Sequence, residues 1–182
     1  MIRDPMRLKL KELTFLAVSG ALMFALQVAM APLPNIEPVS LLVILISCVF
    51  GYKALFATAV FVLLEGLLYG FGLWWFFYLY AWPLLTVLSL LCRRLFGENR
   101  IAFTILSGLF GLFFGMLYAL IFLFTGSFQS FIATWTAGLL FDVLHCAGNL
   151  VLCFFLFNPL MKVLRRFFPE NQESPAQIPS DS

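Results

Sequence analysis

All eleven lysines and arginines of this sequence fall in one alternating set of the gaps between its apolar runs. Arg3, Arg7, Lys9 and Lys11 precede the first run, and Lys53 separates the second from the third. Arg93, Arg94 and Arg100 lie between the fourth and fifth, and Lys162, Arg165 and Arg166 follow the sixth. The remaining connections hold none. A hydrocarbon core of about 30 Å needs about 20 helical residues, which places spans near 13–31, 39–52, 54–70, 74–92, 101–124 and 138–161. Basic residues are retained on the cytoplasmic side of a membrane, so both termini are expected there. The predicted fold is an all-α integral membrane protein, a six-helix bundle. Its second span is short, at best about 20 Å of helix by rise per residue.

Composition agrees. Of 182 residues, 63% are hydrophobic and 11% charged, whereas a soluble domain is nearer half apolar and a quarter charged. A compact domain this small cannot hide that much apolar surface from water. Soluble enzymes and disordered chains are thereby excluded. Residues 1–168 form one membrane domain with a short basic N-terminus, and the polar, proline-containing tail 169–182 is expected to be disordered.

The topology gives each polar side chain a depth. Gln27, Glu65 and Tyr69 fall in the outer halves of their spans, and Asn35 and Glu37 lie in the first outer loop. Trp74, Trp75, Tyr78, Tyr80 and Trp82 gather at the outer start of the fourth span. Asp142, His145 and Asn149, three and then four residues apart, share one face of the last helix. Ionisable groups inside a membrane usually face a bundle interior or a cavity. An outward-opening pocket is therefore expected, with Glu37, Glu65, Asp142, His145 and Asn149 as polar contacts and Trp75 and Tyr78 as stacking partners. Two blander roles stay open: hydrogen-bonding between helices for the polar set, and interfacial anchoring for the rings. The outer side carries no lysine or arginine, so a dianionic ligand would lack a counter-ion. Acids beside aromatic faces suit a cationic or amine-bearing flat molecule, and a neutral one is compatible.

Ala17, Ala21, Ala25 and Ala29 recur every fourth residue and line one face of the first span with methyl groups, which lets another helix approach closely. Gly111 and Gly115 form a G-x-x-x-G pair in the fifth span. Either stripe can serve a partner or a neighbour in the same chain. The cysteines Cys48, Cys92, Cys146 and Cys153 sit in apolar runs and read as small buried hydrophobes. No phosphate-binding G-x-x-x-x-G-K-[ST] loop occurs, and His145 is the only histidine. ATP hydrolysis by that loop and a multi-histidine metal site are thus excluded. No nucleophile stands beside the acids Glu65 and Asp142, so an enzyme is not expected, and neither is a cofactor.

The stretch 138–166, GLLFDVLHCAGNLVLCFFLFNPLMKVLRR, resembles the last helix of substrate-binding (S) components of energy-coupling factor (ECF) transporters. Gly138, Phe141-Asp142, His145, Gly148-Asn149 and the basic end carry that resemblance. The alanine stripe is similar to the small-residue motif of that family's first helix, and PNIEPVS and EGLLYGFGLWW are similar to segments of its members. The resemblance implies a six-helix bundle that captures a vitamin or related micronutrient on its outer face. It implies partnership with a transmembrane T subunit and two cytoplasmic ATPases in a bacterial cell membrane. Ala17, Ala21 and Ala25 would then face the T subunit. Met1-Ile2-Arg3 departs from the Met-His start of the nickel and cobalt members, which argues against a metal substrate. The rival reading is a morphogenetic membrane protein of MreD-like size and span count, whose polar cluster would be structural.

Overall fold

The structure is a computed structural model that describes residues 9–33 and 36–169. Arg3, Arg7, Asn35 and the tail from residue 170 lie outside the described residues. The chain is helical: α1 (Leu10–Met30), α2 (Val39–Phe50), α3 (Ala54–Tyr69), α4 (Leu73–Phe96), α5 (Arg100–Leu112), α6 (Phe114–Ala119), α7 (Phe122–Thr125) and α8 (Phe128–Phe167). Four stretches are long and apolar enough to cross a membrane: Leu10–Met30, Val39–Tyr69, Leu73–Phe96 and Phe128–Phe167. The pair Arg100–Leu112 and Phe114–Thr125, bent by 45°, would make a fifth. Apolar side chains such as Leu22, Leu67, Leu109, Val151 and Phe155 point outward around the bundle, as lipid-facing residues do.

The stretch Val39–Tyr69 is not one rod. Gly51 closes α2 with φ +62°, a backbone region that L side chains rarely adopt, and a 3-10 turn over Gly51–Lys53 follows. The contacts show that the chain reverses there. Glu37 before α2 and Glu65 near the end of α3 line one cavity, while Cys48 and Lys53 meet the charged groups at the opposite end. At 12 and 16 residues, α2 and α3 measure about 18 and 24 Å. α2 is buried on nearly every side. Its continuous apolar run, with no polar face, suits a helix enclosed by others rather than one facing lipid.

Charged side chains tie the helices together at one end. Lys53 Nζ lies 2.8 Å from Glu12 Oε2, joining α3 to α1. Arg93 and Arg165 both donate to the Cys48 carbonyl, at 2.5 and 3.3 Å, and Arg165 also pairs with Glu98. The last carbonyls of a helix lack intrahelical partners, so these guanidinium groups satisfy the C-terminus of α2 and complement its dipole. Lys11 donates to the Phe167 carbonyl at 2.8 Å. The opposite end holds the cavity, which no described lysine or arginine lines.

Three details depart from the spans expected from sequence. The fifth run breaks at Phe113 instead of continuing to residue 124. The last helix begins at Phe128, ten residues before Gly138. A side chain at Gly138 would meet nothing within 4 Å, so this glycine neither breaks the helix nor serves close packing, and Ser127 caps the true start by accepting from the Ser130 N–H. The glycine pair packs inside the chain. A Cβ on Gly111 would stand 2.9 Å from the His145 backbone, and one on Gly115 would stand 2.6 Å from the Asp142 carboxylate. The alanine face, by contrast, points away from the bundle, with Ala17 half-buried and Ala21, Ala25 and Ala29 exposed. The four cysteines are free, and Cys146 alone is not fully buried.

Candidate functional site

A cavity of about 450 Å³ opens at the uncharged end of the bundle. Its acids come from two elements. Glu37 sits in the α1–α2 connection, next to Ile36, whose N–H donates to the Leu33 carbonyl at 3.2 Å, and to Pro38 at the start of α2. Glu65 lies one turn from the end of α3 and is 1% exposed. α1 supplies Gln27 and Met30, and α4 supplies Trp74, Phe77 and Tyr78. Phe114 and Tyr118 enter from α6, Tyr69 from α3 and His145 from α8. Among the described residues, no lysine or arginine lines the cavity.

The polar groups are held in place but incompletely satisfied. Gln27 Nε2 donates to the Tyr78 hydroxyl at 3.1 Å, which leaves Gln27 Oε1 without a partner. Glu37 Oε1 lies 3.9 Å from His145 Nε2, beyond hydrogen-bonding range. Among the described residues, Glu37 Oε2, Glu65 Oε1 and both imidazole nitrogens of His145 are buried with no partner. Burial, reinforced by the neighbouring Glu65, pushes the Glu37 carboxyl up to about 8. Rings form the remaining wall. His145 meets Phe114 edge-on at 4.7 Å, Tyr78 stands edge-on to Trp74 at 5.4 Å, and Tyr78 stacks on Phe61 at 5.9 Å.

Of the seven residues that sequence singles out, the cavity brings together Glu37, Glu65, Tyr78 and His145. The other three stand outside it and work between helices. Asp142 Oδ1 accepts the Gly115 N–H at 2.7 Å, satisfying a donor that the break at Phe113 leaves without an intrahelical partner. Asn149 Nδ2 donates to the Ser107 carbonyl at 3.0 Å and fastens α8 to α5. Trp75 donates its indole N–H to the Val62 carbonyl at 2.9 Å. It faces a second, mostly apolar cavity of about 280 Å³ between α3 and α4.

The residues not singled out are Phe77, Phe114 and Tyr118, together with Gln27, Tyr69 and Trp74, which depth alone had placed on the outer side. The only sequence signal for Phe114 is its position between Gly111 and Gly115, where close packing bends the helix inward. Trp74 differs from Trp75 by one residue, about 100° around the helix, and the Gly72 N-cap decides which of them faces inward.

Two carboxyls, an imidazole, an amide and three phenols surrounded by rings can recognise a small molecule rich in N–H donors. Among the described residues, no group of three His, Cys, Asp or Glu is placed to hold a metal ion. No protein-family model, curated protein or solved structure matches the chain.

Proposed function

We propose that this chain is the substrate-capture subunit of an energy-coupling factor importer, binding a cationic, amine-bearing or neutral micronutrient in the 450 Å³ cavity. In this reading α1, α2, α3, α4, the bent α5–α7 and α8 make six crossings, with both termini in the cytoplasm of a bacterium and the cavity facing out. The chain has no ATPase of its own and docks on a membrane T subunit that two cytoplasmic ATPases drive. One observation carries the reading: buried polar atoms of Gln27, Glu37, Glu65 and His145 that lack a partner among the described residues converge on one cavity. Each buried polar atom left unpaired costs about 1–3 kcal/mol, a penalty that a bound ligand removes. The volume lies within the range of about 300–1,000 Å³ usual for small-molecule sites. Confinement of the described cations to the other end supports the orientation, and the exposed methyl face of α1 supports a docking helix.

The test is a thermal-shift screen of water-soluble vitamins and their precursors on the purified chain in mild detergent. A ligand present at about 100 times its Kd stabilises a protein by about 2.7 kcal/mol, so a saturable rise in the unfolding midpoint is expected. Absence of any saturable shift, with cell-shape proteins as the partners recovered from membranes, would return the polar cluster to a structural role.

A further inference from the structure

We infer that the cavity takes a flat organic monocation bearing N–H donors between Glu37 and Glu65, and that this cation enters in exchange for a proton which the two carboxyls share when the cavity is empty. The inference rests on reading the cavity as the capture site.

The two acids arrive from separate elements and line the same cavity. Among the described residues, Glu37 Oε2 and Glu65 Oε1 each lack a partner. An anionic ligand would set acceptor against acceptor, and a neutral one would leave the negative charge of the pair uncompensated, whereas an amidinium or amino-heterocyclic cation offers both N–H donors and the opposite charge. Trp74, Phe77, Phe114 and Tyr118 supply the flat walls, and a cation over such rings is attracted to their faces.

The titratable and polar groups that line the cavity with Glu37 are Glu65 and Tyr69 from α3, Tyr78 from α4, Tyr118 from α6, His145 from α8 and the neutral Gln27 from α1. None is a fixed cation. Two carboxylates in a low-dielectric site without a counter-ion do not both ionise near neutral pH, and they titrate as a pair. The raised position of Glu37, at about 8 through burial and then Glu65, fits that behaviour. The charges balance. The empty pair holds one proton and carries a single negative charge. With the cation bound, two carboxylates and one positive charge again leave a single negative charge, and the proton goes to the outer water.

The probe is benzamidinium, with neutral benzamide and anionic benzoate as its matched partners. Calorimetry in buffers of different ionisation enthalpy counts the protons released on binding. Benzamidinium is expected to bind at least about tenfold more tightly than benzamide, a difference of roughly 1.4 kcal/mol, and benzoate more weakly still. Near pH 6 to 7, release should approach one proton per cation, and it should fall toward zero near pH 9, once the pair is already ionised. Glu37→Gln should lower both the affinity and the proton count, whereas His145→Asn should keep the count. Loss of the count in His145→Asn alone would move the proton to the imidazole and overturn the exchange. Benzamide or benzoate binding as tightly as the cation, or a cation bound with no proton released, would also overturn it. Failure of all three probes to bind would instead overturn the capture site itself.

Discussion

If Glu65 is kept for a ligand, the empty protein should be more stable without it. Its side chain is 1% exposed, and its Oε1 has no partner. Glu65→Met keeps nearly the same length and removes the buried acceptors. The gain should be about 1–3 kcal/mol, the cost of one unpaired buried polar group. For a chain of this size each kcal/mol moves the midpoint by about 2–4 °C, so the ligand-free variant should unfold roughly 2–12 °C higher. Tryptophan fluorescence during a thermal scan in detergent reads this directly. Asp142→Val supplies the contrast. Removing Asp142 Oδ1 strands the Gly115 N–H, so that variant should lose about 1–3 kcal/mol. A fall in midpoint for Glu65→Met comparable to that for Asp142→Val would refute the reasoning, because it would show that Glu65 holds helices together. A gain in stability with loss of ligand is the usual trade at a functional site.

Glu37 makes a separate prediction about pH. Its carboxyl stands at about 8 against an ordinary 4.5, so the unfolded chain ionises first as pH rises. Stability of the empty protein should therefore fall by a few kcal/mol between about pH 4.5 and pH 8 and level off above. Glu37→Gln should flatten that fall in a pH series of unfolding midpoints. Gly20→Ala would place a Cβ 2.5 Å from the Ala57 carbonyl and 2.8 Å from Val60 Cβ. It should destabilise the α1–α3 contact by about 1–3 kcal/mol, the usual cost of overpacking, measurable in the same scans. Ala21→Leu adds bulk to the exposed face of α1, so uptake by cells should drop while ligand binding by the purified chain stays nearly intact. Unchanged uptake would count against docking there.

Much of the architecture was legible in the sequence because charge and helix period are strong, local signals. The alternating cations mark the end where Lys53, Arg93 and Arg165 make their ion pairs and caps. The break at Gly51 separates two helices that mean hydropathy alone would merge. Depth along a helix was harder to see. Asp142, His145 and Asn149 share a face and are all buried, yet only His145 lines the cavity. Asp142 Oδ1 accepts the Gly115 N–H and Asn149 donates to the Ser107 carbonyl, partners set by tertiary packing against α5 and α6. The same limit separates Trp74 from Trp75. Gly138 resembled a helix start, but it lies on an open face of α8 where nothing approaches it. The alanine stripe showed its spacing in the sequence, and only the packing of Leu16, Gly20 and Met23 against the bundle turns that stripe outward.

Recovery of the tagged chain from its native membranes in mild detergent, with mass spectrometry of what accompanies it, tests the proposed role most directly. The predicted result is a polytopic T-type membrane subunit together with two ATPases. Their replacement by cell-wall or cell-division proteins would contradict it.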